Sequence, residues 1–597
     1  MRKQSPISCF SVVLFLSGGN HDSTLSEQNS RRVPSSLPLP HQLSGLALRL
    51  LLLFLALFAS PIWATTYYAA SGSTACSGSP CSDSNNGTTK ATAWAHAKGM
   101  QTCTGTCAST TLSAGDSMIL RGGDTWGNAS FNWSLPGGTS GGNVYVGVDK
   151  TWYAGGSWVR PILDAGGTGI GNNTDTMFYA PSYVTVDNLE IKGFYWEIGS
   201  GKTCGASPSY GTCGIFECSQ NTGQTFEHLY IHGWTHAGTG SGSNNGVSTV
   251  FAFGGNAQDV AHDNVIVGTD VTGDHSMNVF FDGPLFAYNN YIQQVSSGFV
   301  TGTVGGTSIV HDNYIWDIGP AYCNTNPSAP GNCTHENGYE DNADTGLYFY
   351  NNVVGNESDG LAVWIAPNPG SSVYMWNNVI YDIHDNQVLD IAPPVYNASV
   401  CPQGSTSNDY CKAAGNYYVW NNTIECGDDS TQYDNCQLGV GAVGSGAVAN
   451  LVDFENNHII AACSTISGGC AANQGCATGS GAPTTCTFAS NNVVQTLATA
   501  NAQGYSSSGP IYAFSPTNGT GSTMGAGTNL TSSATGNLST LAASTTYACT
   551  NSSNSPSCPA LATVNRVSSG SWNSGAYAPY SSSSPSPAAP QLFFTLP

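Results

Sequence analysis

Three stretches of this sequence group residues able to move protons or hold a cation. The first is Gly268-Thr269-Asp270-Val271-Thr272-Gly273-Asp274-His275, followed by an apolar run that ends at Asp282. Carboxylates carried on adjacent turns of a repeating fold lie about 5–10 Å apart, a range that suits glycoside hydrolysis. Asp270, Asp274, His275 and Asp282 are therefore candidate catalytic residues; the alternative is that they cap turns by accepting from backbone amides. The second stretch, His335-Glu336-Asn337-Gly338-Tyr339-Glu340-Asp341-Asn342-Ala343-Asp344, carries four carboxylates and no Lys or Arg to neutralise them. His335 and Glu336 are candidate acid–base groups. Glu340, Asp341 and Asp344 are candidate hard oxygen ligands for Ca2+, although the spacing is not that of an EF-hand. A solvated acidic loop would look the same. The third set is His232, His236, Asp317, Asp382 and His384. His232, Asp317 and Asp382 each stand four residues after the second member of a repeated polar pair, which predicts equivalent places on different coils, lining one groove. Trp376 and Trp420 stand directly before such pairs, and their flat rings suit the apolar face of a sugar; packing at the coil edge is the alternative.

The element that must position these residues is a short motif, seen as Phe349-Tyr350-Asn351-Asn352-Val353-Val354, that recurs ten times. Its other copies centre on Asp187-Asn188, Glu227-His228, Asp263-Asn264, Asn289-Asn290, Asp312-Asn313, Asn377-Asn378, Asn421-Asn422, Asn456-Asn457 and Asn491-Asn492. Successive copies are 23 to 44 residues apart. A fixed unit of this size, with intervals lengthened by insertion, is the mark of a solenoid. Alternating apolar residues on either side of the pair predict short strands, and Asn tolerates the left-handed backbone of a sharp turn. Stacked about 4.8 Å apart, the second residues of the pairs would form an asparagine ladder.

Composition narrows the partners. The 597 residues carry a formal charge of -22, and no Lys or Arg occurs between Lys202 and Lys412. Nucleic acid, which needs clustered bases on the protein, is excluded as a partner. A polyanionic glycan would be repelled unless a cation bridged it. The apolar run Leu50 to Phe58, followed by Ser60-Pro61-Ile62-Trp63-Ala64, is too short to span a bilayer and reads as a secretory signal ending near Ala64. The 20 cysteines agree with export. Beyond Cys9, eighteen fall into close neighbours, 76/81, 103/107, 204/213, 323/333, 401/411, 426/436, 463/470, 476/486 and 549/558, which predicts local disulfides with Cys218 left over. Residues 65–135 read as an N-terminal cap, with a short helix expected over Ala91 to Met100 and Trp94 buried. Residues 136–580 read as the coils and closing segment, and 581–597 as a Ser/Pro/Ala-rich tail.

The opening Tyr67-Tyr68-Ala69-Ala70-Ser71-Gly72-Ser73, the segment Ala114-Gly115-Asp116-Ser117-Met118-Ile119-Leu120-Arg121-Gly122-Gly123 and the closing Gly570-Ser571-Trp572-Asn573-Ser574-Gly575-Ala576-Tyr577 resemble bacterial secreted members of the pectate-lyase-like superfamily. That resemblance implies an all-β, single-stranded right-handed parallel β-helix with disulfide-stapled loops. It also implies a secreted monomer, with no membrane span once the signal is cleaved, acting on polysaccharide. Lyases of this kind often use an Arg or Lys base with acid-bound calcium, and the missing bases of the middle coils point instead to hydrolysis by an acid pair. A non-catalytic surface or adhesion solenoid is the alternative, because many functions share this fold.

Overall fold

The computed structural model describes residues 64–72, 75–166, 176–197, 213–218, 221–237, 248–254, 259–268, 277–281, 283–301, 306–318, 337–341, 344–357, 361–365, 371–383, 387–391, 416–426, 437–440, 451–461, 485–488, 491–505, 514–516, 520–544, 550–552, 555–557 and 564–577. No helix among them is long and apolar enough to cross a membrane.

One short coil shows how the chain is wound. Leu285–Tyr288 turns at Asn289-Asn290 into Tyr291–Val295, Ser296 leads into Ser297–Thr301, and Thr307–His311 then lies beside the starting strand. Repetition of this path makes a parallel β-helix of three sheets, with 13 strands in the first, 12 in the second and 10 in the third among the described residues. From Asp187 to His458, two residues link each strand of the first sheet to the next strand of the second. The long connections instead border the third sheet, as between Ile318 and Tyr339 or Cys426 and Gln437. Insertions thus spare the turn that carries the repeated pair.

The turn tolerates no insertion because of its backbone and its bonds. Asn188, His228, Asp263, Asn289, Asp312, Asn351, Asn377, Asn421 and Asn456 all have φ between 53° and 60°. That left-handed region is open to Asn and Asp at low cost and closed to most bulky residues. The residue after each enters the core. From Asn264 onward it is Asn, and each side-chain oxygen accepts from the preceding coil. Asn264 N and Nδ2 both donate to Asn290 Oδ1, at 3.2 and 2.9 Å. The same link joins Asn290 to Asn313, Asn352, Asn378, Asn422, Asn457 and Asn492. The other amide hydrogen goes to a strand carbonyl, as Asn290 Nδ2 to Ala261 O at 3.0 Å. Satisfying every polar atom is what permits amides in a core.

The first two coils depart from the expected ladder. Strand register places Asn188 and His228 in the left-handed column with Asp263, and the ladder places hold buried Leu189 and Leu229. Matching by residue identity shifted Asn188 by one position; the ladder begins at Asn264.

Inside, the third sheet stacks Phe178, Phe216, Phe251, Phe280 and Phe299 at 4.6–5.3 Å between ring centres, ending on Tyr339. Asp259 breaks this apolar interior. It is 1% exposed, its Oδ1 accepts from Gln224 N at 3.0 Å and its Oδ2 has no hydrogen-bond partner among the described residues. Burial pushes its carboxyl up to about 7.

The N-terminal cap pairs Thr66–Ala69 with Ser117–Gly122 in parallel. Trp94 is fully buried as expected, but the helix is only a 3-10 turn at Lys90–Thr92. Ala93 and Trp94 are drawn into the sheet edge instead, with Trp94 N donating to Tyr68 O and Ala70 N to Trp94 O. The disulfides Cys76–Cys81 and Cys103–Cys107 are formed, and Cys218 is buried and free. The other expected pairs lie wholly or partly outside the described residues.

At the far end, Asn377, Asn421 and Asn456 donate sideways to Ala543 O, Asn573 O and Thr528 O at 2.7, 3.0 and 2.8 Å. The C-terminal segment is thereby fixed across these coils. Its Leu541 and Trp572 pack on Trp376 and Trp420.

Candidate functional site

Strand register aligns the residues that precede the left-handed turn into one outward column, Asp187, Glu227, His262, Tyr288, His311, Tyr350, Trp376, Trp420 and Glu455. With the left-handed residues beside it, this column forms a stripe along the rod. Its two halves differ.

Rings fill the later half. His262, Tyr288, His311, Tyr350 and Trp376 stack in sequence with centroids 4.3–5.2 Å apart and planes within 8°. Stacking of this kind consumes both faces of the inner rings. Trp376 is 0% and Trp420 5% exposed beneath the C-terminal segment. Neither therefore presents a face to a sugar, and the coil-edge alternative is the one observed.

Charged groups form the earlier half. Asp187 Oδ1 meets His228 Nδ1 at 2.8 Å and accepts from Asn188 Nδ2 at 2.6 Å, while Oδ2 accepts from the Tyr145 hydroxyl at 2.6 Å. Burial alone would raise the Asp187 carboxyl, but these three bonds outweigh it and hold it below the usual range. The bond to Asp187 raises the His228 imidazole above its ordinary value. On the next coil, His262 is held on both sides, Nε2 3.0 Å from Glu227 Oε2 and Nδ1 2.7 Å from Asp263 Oδ2. Burial opposes its charge, yet the two carboxylates push it up to about 9. Arg160 Nε donates to the carbonyl of His228 at 3.3 Å from below the pair.

Asp187, Glu227 and His228 each bring one oxygen or nitrogen within 4.8 Å of the others, a spacing short enough for a metal ion. In this structure, however, Asp187 and His228 bond one another directly and the second Asp187 oxygen is taken by Tyr145. The arrangement is that of a carboxylate-oriented imidazole beside a second carboxylate.

The sequence-derived candidates are distributed differently. Asp270, Asp274, His275, Asp282, His335, Glu336 and His384 lie outside the described residues. Asp317 and Asp382 do share one column, with Gln294, all three at φ 56–59°. His232 does not join them. It pairs with Val267, in the column of Gln293 and Trp316, where it stacks on Tyr230 at 4.0 Å and meets Glu190 at 3.3 Å. The offset has the same origin as that of Asn188, because the four-residue count began from His228 as if it stood in the ladder. His236 lies on the strand Thr235–Ala237, paired with Trp196. Of the cation candidates, Glu340 accepts from Asn337 Nδ2 at 2.7 Å. Asp344 is fully buried and meets Thr301 Oγ1 at 3.2 Å, which withdraws it from any surface cation. Asp341 is on the strand Tyr339–Asp341.

Asp187, Glu227 and His228 were not singled out from the sequence because they sit inside the repeat, where scaffold roles suffice. The signal was present in the residue preceding the left-handed position, which is polar, charged or aromatic in every coil from Asp187 to Glu455 although the turn itself needs none of these.

No family model matches the sequence, and no curated protein is similar to it. Among solved structures the chain is similar to a rhamnogalacturonan lyase, with 14% identity over 72% of this chain and 86% of that one and a TM-score of 0.36. It is similar to pectate lyase Pel9A at 16% over 70% and 80%, with a TM-score of 0.32. A lacto-N-biosidase from Eubacterium ramulus matches at 13% over 76% and 71%, with a TM-score of 0.34. Likeness at this level assigns no activity. The chain is a parallel β-helix on the evidence of its own strand pairings.

Proposed function

We propose that this chain is a secreted carbohydrate-active protein that binds a polysaccharide along the solenoid, as a monomer, and cleaves it by acid-residue hydrolysis. The observation that carries this reading is the Asp187–Glu227 pair. Two carboxylates on adjacent coils, with oxygens within 4.8 Å, stand beside an exposed, oriented imidazole. Carboxyl groups about 5–5.5 Å apart serve hydrolysis with retention. Stripe positions repeat at the strand spacing of about 4.8 Å, close to the rise of one sugar in an extended glycan. The absence of Lys and Arg from residues 203–411 supports hydrolysis over elimination by a basic residue in the central coils, and Arg160, which lies against this pair, donates to the His228 carbonyl. The disulfides of the N-terminal cap support an oxidising, extracellular setting. Asp270, Asp274, His275, Asp282, His335 and Glu336 remain a proposed catalytic set, and Glu340 with Asp341 the proposed Ca2+ ligands.

The test is incubation with neutral β-glucan, xylan and galactan and with polygalacturonate and alginate, with and without Ca2+. Reducing ends report hydrolysis and ultraviolet absorbance reports unsaturated lyase products. Reducing ends without absorbance, lost in E227Q, support the reading at this pair. Loss in D270N/D282N with E227Q unaffected moves the chemistry to Asp270 and Asp282. No product on any glycan favours the non-catalytic solenoid, which the stacked rings of the later stripe would equally serve.

A further inference from the structure

Hydrolysis of a glycosidic bond needs a group that gives a proton to the leaving oxygen, and hydrogen bonding decides which group in this site can do so. Asp187 accepts on both oxygens, from Tyr145, Asn188 and His228. It is an acceptor throughout and has no proton to give. The ring of His262 faces carboxylates at both nitrogens, so both must carry hydrogen, and Glu227 Oε2 is then an acceptor as well. His262 itself has no nitrogen left to offer. His311 bonds Asp312 through Nδ1 and is sandwiched between Tyr288 and Tyr350, with its side chain 14% exposed. His228 differs from both. Its Nδ1 is held by Asp187, its Nε2 has no partner among the described residues, and its side chain is 40% exposed.

We propose that His228 is the proton donor and acceptor of this site, that Asp187 positions it, and that Glu227 is the carboxylate that meets the anomeric carbon. The inference rests on the hydrolytic reading given above and refines it, since the usual arrangement uses two carboxyl groups. In the first step the proton on His228 Nε2 passes to the glycosidic oxygen. The bond from that oxygen to the anomeric carbon breaks with its electron pair left on oxygen, and Glu227 Oε1, unpartnered among the described residues, bonds to the carbon. In the second step water attacks the same carbon and gives its proton to His228 Nε2, and the bond to Glu227 breaks. One water is consumed, and both side chains return to their starting state. Asp187 fixes the ring orientation through Nδ1, as a carboxylate does for a catalytic imidazole elsewhere.

Leaving-group dependence tests this directly. The substrates are the glycan cleaved by the wild type in the panel above and dinitrophenyl glycosides of its sugars, whose leaving group departs without protonation. H228Q is expected to lower kcat/KM on the glycan by about 10²–10⁴, and kcat/KM on the dinitrophenyl glycoside, which reports the first step alone, by less than about tenfold. Added imidazole restores glycan cleavage by H228A. E227Q loses both substrates. D187N lowers kcat on the glycan with KM unchanged, and its loss also shrinks on the activated substrate. A wild type that cleaves while H228Q falls equally on both substrates, or not at all, overturns the assignment of His228 alone. A wild type that cleaves no substrate overturns the hydrolytic reading, and this assignment falls with it.

Discussion

Replacing Asp259 with Asn should make the protein more stable at neutral and alkaline pH and leave it unchanged in acid. Asp259 faces the interior, 1% exposed, with one oxygen bonded to Gln224 N and the other without a hydrogen-bond partner among the described residues. Burial raises its carboxyl from an ordinary 3.8 to about 7. In the unfolded chain the group ionises near its ordinary value, whereas in the folded chain it keeps its proton until about 7. The folded state therefore binds more protons across that window, and stability falls as pH rises through it. Holding the proton up to about 7 costs about 4 kcal/mol of stability once pH exceeds 7, because each tenfold change in proton affinity is worth 1.36 kcal/mol. Asn keeps the acceptor for Gln224 N and carries no charge. Urea unfolding followed by tryptophan fluorescence should give equal stabilities at pH 4 and a D259N advantage of up to about 4 kcal/mol at pH 8. A variant no more stable than the wild type at pH 8, or one whose advantage is the same at both pH values, would refute the reasoning.

Other outcomes follow from the same geometry. Asn352→Ala leaves the Asn313 backbone and side-chain donors without their shared acceptor, and a loss of about 3 kcal/mol or more is expected in chemical denaturation. His262, raised to about 9, adds stability that is complete below about 6.5 and is lost as pH climbs through 9. H262Q should flatten that alkaline decline, as seen in melting temperatures between pH 6 and 10. Trp572→Ala removes a ring that is 2% exposed against Trp376 and Trp420. It should cost about 3–5 kcal/mol locally and speed proteolytic removal of the C-terminal segment, with the central coils still intact on a gel.

The fold was legible because its cause is local and repeated. A left-handed turn, an amide that enters the core and short alternating strands on either side must recur in every coil, and each recurrence leaves the same residues in the sequence. The register was less legible. Asn188 matches the ladder in type but the left-handed column in place, since Asn suits both positions and only strand pairing separates them. That one-residue ambiguity carried His232 into a column where it does not stand.

What the sequence determined by itself was the coil, its two-residue turn, the absence of cations from the middle of the rod and the placement of insertions between repeats. Tertiary structure decided which side chains of different coils meet. Asp187, Glu227 and His262 are 40 and 35 residues apart along the chain and become neighbours only through parallel pairing. It also decided what is covered: Trp376 and Trp420 look like open sugar platforms until the C-terminal segment, more than 100 residues later, lies down over them. Spacing along a chain reports local geometry, whereas contact and burial depend on segments distant in sequence.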